Sequence, residues 1–90
     1  MGVTVRLSRL MQEYTGSRAI VEVQGDSVRS CLNDLVTRLP GAGRTIFDRR
    51  GRSMVLVTVN DDGAVVGNDR LDTAVKDGDE LYLCMRCGGG

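Results

Sequence analysis

The sequence predicts an α+β domain in which one main helix lies across one face of a mixed β-sheet. Three observations carry that expectation. Val3-Thr4-Val5-Arg6-Leu7 alternates apolar and polar residues, the pattern of a half-buried strand. Val28, Cys31, Leu32, Leu35, Val36 and Leu39 recur at the spacing of one helix face. Leu81-Tyr82-Leu83-Cys84-Met85 reads as a closing strand that runs almost directly into Gly88-Gly89-Gly90. An element order β-β-α-β-β can place a single helix on one side of a sheet.

Each element has its own local reason. Ala19-Ile20-Val21-Glu22-Val23 is β-branched and forms the hairpin partner of the opening strand. The polar stretch from Gln12 to Arg18, with Gly16, is the connecting loop. Gly25-Asp26-Ser27 breaks the second strand, and Asp26 or Ser27 can cap the helix by accepting a backbone N–H. Pro40-Gly41 stops that helix. Residues 41–53 are rich in Gly and Arg and read as a connection with one helical turn, anchored by Phe47. Met54 to Val59 is apolar on both alternating sets, as in a central strand buried on both sides or nearly so. Asn60-Asp61-Asp62-Gly63 and Lys76-Asp77-Gly78-Asp79 are turns, and Leu71, Ala74 and Val75 form a short apolar patch between them. Val5, Leu7, Val21, Leu32, Leu35, Val57, Leu81 and Leu83 are the expected core.

At 90 residues the chain makes one small domain with little room for a deep active-site cleft. Twelve basic residues balance twelve acidic ones, and there is no His. The commonest general base is therefore missing, and a neutral chain is not built to coat nucleic acid. The balance hides an asymmetry. Residues 1–52 hold nine Arg against five acids, and residues 53–90 hold three basic residues against seven acids. The N-terminus has no apolar run of signal-peptide length, and no stretch approaches a membrane-spanning length. Three cysteines cannot form a complete intrachain disulfide framework, so a reduced, cytoplasmic protein is expected.

Three features can carry chemistry. The first is the glycine tail. Without Cβ atoms it forms a thin thread able to enter a narrow channel, and about six residues beyond the strand can extend roughly 20 Å. Its end offers one reactive group, the Gly90 carboxylate, which needs activation before it can transfer an acyl group. A functionless frayed end is the alternative. The second is Cys84-Met85-Arg86-Cys87. It ends a strand, where no helix N-terminus lowers a thiol pKa, and it is only half a zinc site. Incidental thiols near a sheet edge are the plainer reading, with Cys31 a core residue. The third is the segment Arg44 to Arg52, whose four Arg surround one aromatic residue and Asp48. It reads as a solvated or partner-facing loop, with RNA binding as an alternative. No phosphate-cradling glycine motif occurs, so the chain is not expected to bind ATP itself.

Taken together, these residues resemble the MoaD/ThiS family over approximately residues 3–90. The resemblance rests on Val3-Thr4-Val5, the Tyr14-Thr15-Gly16 loop, Gly25-Asp26-Ser27-Val28, Val57-Thr58-Val59-Asn60-Asp61, Leu71 through Leu81 with its Asp77-Gly78-Asp79, and the terminal glycines. The opening strand and the Tyr-Thr-Gly loop look closest to the carriers of cysteine biosynthesis. The chain departs from the family at Cys84-Met85-Arg86-Cys87, where a Pro-containing segment is usual, and in ending on three glycines rather than two.

The resemblance implies a β-grasp, ubiquitin-like fold over residues 1–87 and a flexible tail over residues 88–90. It implies a sulfur carrier, not an enzyme. An E1-like partner would adenylate Gly90, with Gly89 as the slender residue before it. A sulfur donor would convert the adenylate to a thiocarboxylate, and a synthase would accept the sulfur for molybdopterin, thiamin or cysteine. Leu83, Met85, Arg86 and Gly88 would dock these partners. No cofactor, metal, nucleic acid or membrane is expected to bind this chain, since the ATP belongs to the partner. A ubiquitin-like modifier and a noncatalytic RNA- or protein-binding module are the alternatives.

Overall fold

The computed structural model describes residues 2–13, 18–51, 53–60, 65–66 and 70–85, with backbone alone for 42, 44, 45, 65, 66 and 85. The elements are β1 (Val3–Leu7), α1 (Arg9–Gln12), β2 (Ile20–Val23), α2 (Val28–Arg38), a 3-10 turn (Pro40–Ala42), α3 (Gly43–Ile46), β3 (Val55–Val59), β4 (Val65–Val66) and β5 (Glu80–Met85). They form a five-stranded mixed sheet of order β2-β1-β5-β3-β4. The expected α+β architecture is met. β1 and β2 form the antiparallel hairpin, with Val3 opposite Val23 and Val5 opposite Val21. β5 lies in the middle, parallel to β1 and antiparallel to β3.

The alternation of each strand sorts its side chains. Val3, Val5, Leu7, Val21, Val23, Val55, Val57, Leu81 and Leu83 face one way and are buried. They meet Val28, Cys31, Leu32 and Leu35 of α2, also buried. Val36 and Leu39, the remaining apolar positions of the helical repeat, are only partly buried and pack on the edge of this core. All eight expected core residues are buried.

Two expectations need correction. The stretch 54–59 is covered on one face only: Val55 and Val57 are buried, but Met54, Leu56, Thr58 and Val59 are partly exposed. A single crossing helix cannot cover both sides of the sheet. Ala74 is exposed, because its backbone bridges to Ser27 while Leu71 and Val75 turn inward. Ahead of the expected loop, Ser8 caps a short helix, Arg9–Gln12, whose Met11 enters the core. The Tyr14-Thr15-Gly16 loop and the Asp61–Gly63 part of the turn lie outside the described residues.

Two local networks fix the ends of the elements. At the start of α2, Ser27 Oγ accepts the Ser30 N–H at 3.2 Å, and Ser30 Oγ accepts the Ser27 N–H at 3.0 Å. This reciprocal cap satisfies amides that helix geometry leaves free. The N–H groups of Val28 and Arg29 donate to Thr73 and Leu71 carbonyls at 2.9 and 2.8 Å, so the strap before β5 completes the cap. At the start of β5, Gly78 takes a φ of +90°, the left-handed region that favours glycine. That turn lets Asp79 accept the Lys76 N–H at 3.0 Å and the Asn60 side-chain amide at 3.3 Å. Asn60 itself adopts φ 54° and accepts the Glu80 N–H at 2.9 Å. The Asp-Gly-Asp motif is thus the bracket that joins the end of β3 to the start of β5. Among the described residues, no helix is long and apolar enough to cross a membrane.

Candidate functional site

The geometry around the end of β5 decides how the tail is presented. β5 is hydrogen-bonded on both sides, with Leu7 opposite Leu83 on β1 and Val55 opposite Met85 on β3. The Ser8 N–H donates to the Leu83 carbonyl at 3.0 Å, and α1 packs beside the strand. A terminal segment that starts from the centre of a sheet has a rooted origin, whatever its own conformation. Arg86, Cys87, Gly88, Gly89 and Gly90 lie outside the described residues, as does the Met85 side chain.

Leu83 does not suit the docking role expected of it. Its side chain is fully buried against α2, so a partner has no access to it in the folded domain. The period of two along a strand assigns the opposite face to its neighbours. Tyr82 is 43% exposed and Cys84 is half-buried there. Arg6 and Thr58 are the register partners of Tyr82, and Leu56 is that of Cys84. Ile20, 56% exposed, is the register partner of Arg6 on β2. Arg6 reaches Glu80 at 3.4 Å in an exposed ion pair. The outward face of the sheet is therefore a mixed surface around Tyr82 that the sequence reading did not single out. The signal was present in the alternation: Leu81 and Leu83 inward require Tyr82 outward, and Val21 inward requires Ile20 outward.

The cysteines divide in the same way. Cys31 is buried in the helix–sheet interface, and its thiol is pushed up to about 11 by burial, with the carboxylates of Asp34, Asp26 and Asp79 adding to the shift. A thiol in that state is a packing group rather than a nucleophile or metal ligand. Among the described residues, no cluster of three or more His, Cys, Asp or Glu side chains is placed to hold a metal ion. Asp34 has its carboxyl pKa lowered, chiefly by the Arg38 side chain at 2.7 Å and then by the Gln24 N–H at 2.8 Å. This pair ties the exposed side of α2 to the end of β2 and carries no reactive group.

Comparison with known proteins agrees with this architecture. The ThiS family matches residues 5–90, a span that includes the terminal glycines. The sulfur carrier protein CysO of Mycobacterium tuberculosis (strain H37Rv) is 28% identical over a 94-residue alignment covering the whole of both chains. Among solved structures, a chain of the Amycolatopsis orientalis BexX/CysO complex is 29% identical with a TM-score of 0.74, covering 99% of this chain and 100% of that one. SAMP1 from Haloferax volcanii is 30% identical with a TM-score of 0.76, covering 98% of each. With a ThiS match across nearly its whole length and a β-grasp sheet in which the glycine tail follows the middle strand, the chain belongs to the ThiS family, the ubiquitin-like sulfur carriers it resembles in sequence.

Proposed function

We propose that this protein carries sulfur as a thiocarboxylate on Gly90. The observation that carries the proposal is the span of the family match, which runs to residue 90 and so includes the tail. An E1-like partner joins the Gly90 carboxylate to AMP from ATP, with release of pyrophosphate. A sulfide equivalent then attacks the acyl carbon. The C–S bond forms, and the bond to the AMP oxygen breaks with its electron pair. The resulting thiocarboxylate is handed to a synthase of molybdopterin, thiamin or cysteine formation. The relatives named CysO favour the cysteine branch. The chain supplies no base and no cofactor to these steps. It supplies a slender acyl group, Gly89-Gly90, and a folded body by which partners hold it, and it works in the reduced cytoplasm.

The test is intact and fragment mass spectrometry after incubation with the cognate adenylating enzyme, ATP and a sulfide donor. Replacement of one oxygen by sulfur, localised by fragments to Gly90, is the expected outcome. An unchanged tail with a demonstrably active enzyme would defeat the carrier reading. A second reading, a protein modifier joined to target lysines through the same glycine, is favoured by the likeness to H. volcanii small archaeal modifier protein 1, 30% identical over 90% of this chain. Glycine remnants of this tail on lysines of other cellular proteins would establish that reading.

A further inference from the structure

β2 is an edge strand, paired with β1 on one side and with no described strand on the other. The ladder fixes which of its backbone groups that pairing uses. The Leu7 N–H donates to the Ala19 carbonyl at 2.8 Å, so these two residues form a hydrogen-bonded pair. Bonded and unbonded pairs alternate along an antiparallel ladder, which makes Val5–Val21 and Val3–Val23 the bonded ones. Thr4 confirms the phase: its N–H turns away from its register partner Glu22 and donates to the Asp79 carbonyl at 3.0 Å. The N–H and C=O groups of Ile20 and Glu22 therefore point to the open edge, and no described residue bonds to them there.

Folded proteins blunt such an edge with proline, a bulge or an inward-pointing charge. The strand Ile-Val-Glu-Val has none of these and pairs in unbroken register. Val21 and Val23 point into the core, while Ile20 and Glu22 are exposed on the outward face. Arg18, two residues before Ile20, is exposed as well. The groove between Val36, Phe47 and Met54 selects no partner by charge, since its charged lining, Asp48 and Arg49, cancels. The β2 edge does select one, because its complement is present in its own sequence.

A second copy of the strand meets the first antiparallel about a twofold axis. A register is allowed only where edge-facing residues oppose each other. An axis at Glu22 sets Glu22 against Glu22, two like charges. An axis at Val21 sets Ile20 against Glu22. An axis at Ile20 sets Ile20 against Ile20, and Arg18 against Glu22 on both sides. Of the three, the last alone matches apolar with apolar and opposite charges with each other.

We propose that the β2 edge is a self-association site, where a second copy of this chain adds antiparallel with Ile20 on the twofold axis. The two sheets then run on as one. β1 separates β2 from β5, so the strand that leads to the tail stands clear of the contact in each copy. The proposal is independent of the carrier function. So short an edge buries less than the roughly 1,200 Å² of a stable interface, so the dimer forms reversibly and at high concentration.

The experiment is sedimentation equilibrium on the full-length chain under reducing conditions, with amide NMR shifts followed over the same concentration series. A monomer–dimer equilibrium is expected, with the shifts centred on Ile20 and Glu22. Glu22→Arg and Arg18→Glu each set like charges opposite each other in the homodimer, and each should weaken it about tenfold or more. An equimolar mixture of the two variants should restore association, since every Arg then faces a Glu. Ile20→Pro should abolish the dimer with unfolding unchanged or nearly so, because that N–H serves only the open edge. If this variant does not fold, the charge exchange decides the matter alone. A chain that stays monomeric to millimolar concentration would overturn the proposal. So would a dimer that ignores both charge variants, one whose shifts lie at Tyr82 and Cys84 rather than at β2, or one that forms only without reductant and is therefore a disulfide.

Discussion

The two ends of the sheet are built on opposite principles. At one end, β3 finishes and β5 begins, and the polar groups are turned on each other. Asn60, Asp79 and Lys76 exchange hydrogen bonds, and the Gly78 N–H donates to the Gly2 carbonyl at 3.0 Å. The cap of α2 and its strap stand at the same end. At the other end, β5 finishes and β3 begins, and the groups face outward: Arg49 and Arg50 are exposed, Leu10 is 46% exposed, and Phe47 and Met54 are half-covered. The division runs along the strand direction, with a hydrogen-bonded bracket at one end and exposed Arg and apolar side chains at the other, the end that the tail follows.

The largest effect that could break this comparison concerns glycine. A Cβ on Gly25 would stand 2.7 Å from Ser30 Oγ, 2.8 Å from the Cys31 backbone N and 2.9 Å from Cys31 Sγ. The hydroxyl can rotate away, but the helix backbone cannot without disturbing the cap. Gly25→Ala should therefore cost about 1–3 kcal/mol in urea unfolding. Gly51, in the open loop, has φ +79° but no atom within 4 Å of its would-be Cβ. Gly51→Ala should cost only the left-handed conformation, about 1 kcal/mol. Equal costs at the two positions would erase the contrast.

Acid sharpens the comparison next. The Lys76 N–H, and then the Asn60 amide, hold the Asp79 carboxyl below the usual carboxylate range. Its contribution is thus present above the unfolded value near pH 3.9 and is lost as pH falls through the lower folded value. Urea titrations at successive pH values should show that loss, and Asp79→Ala should flatten it. An unchanged acid profile in the variant would mean that other carboxylates govern acid unfolding. The smallest effect belongs to the open end. Arg49→Glu/Arg50→Glu should leave unfolding free energy within about 0.5 kcal/mol of the wild type, because these side chains stabilise nothing in the isolated domain. A larger loss would make these side chains part of what holds the fold together.

Most of the fold was legible because its elements carry strong local periodicity. The face from Val28 to Leu35 has one helical solution, and the alternation of Val3-Thr4-Val5-Arg6-Leu7 has one strand solution. Short elements escaped. α1 and β4 are only four and two residues long, too short for a period to emerge, and α1 is held by its Ser8 cap and by Met11 in the core. The burial of the Leu83 side chain was not anticipated for a different reason. The residue next to a functional tail is near it in sequence, but strand geometry turns every second side chain into the core. Phe47 was recognised as an anchor, yet its groove with Val36 and Met54 was not legible. It joins residues from a helix, a turn and a strand start that lie far apart in the chain.

What the sequence determined by itself is local or terminal. It specified the helix and its cap, the apolar alternation of the strands, the turn at Asp77-Gly78-Asp79, and the glycine thread whose carboxylate is the proposed reactive group. Each follows from side-chain size, periodicity or backbone freedom within a few residues. What only the tertiary structure decided is which of these parts meet. The register that sets Val55 beside Met85 brings the Phe47–Met54 connection to the end of β5 that the tail follows. It depends on pairing between segments some thirty residues apart in the chain, which no local pattern encodes.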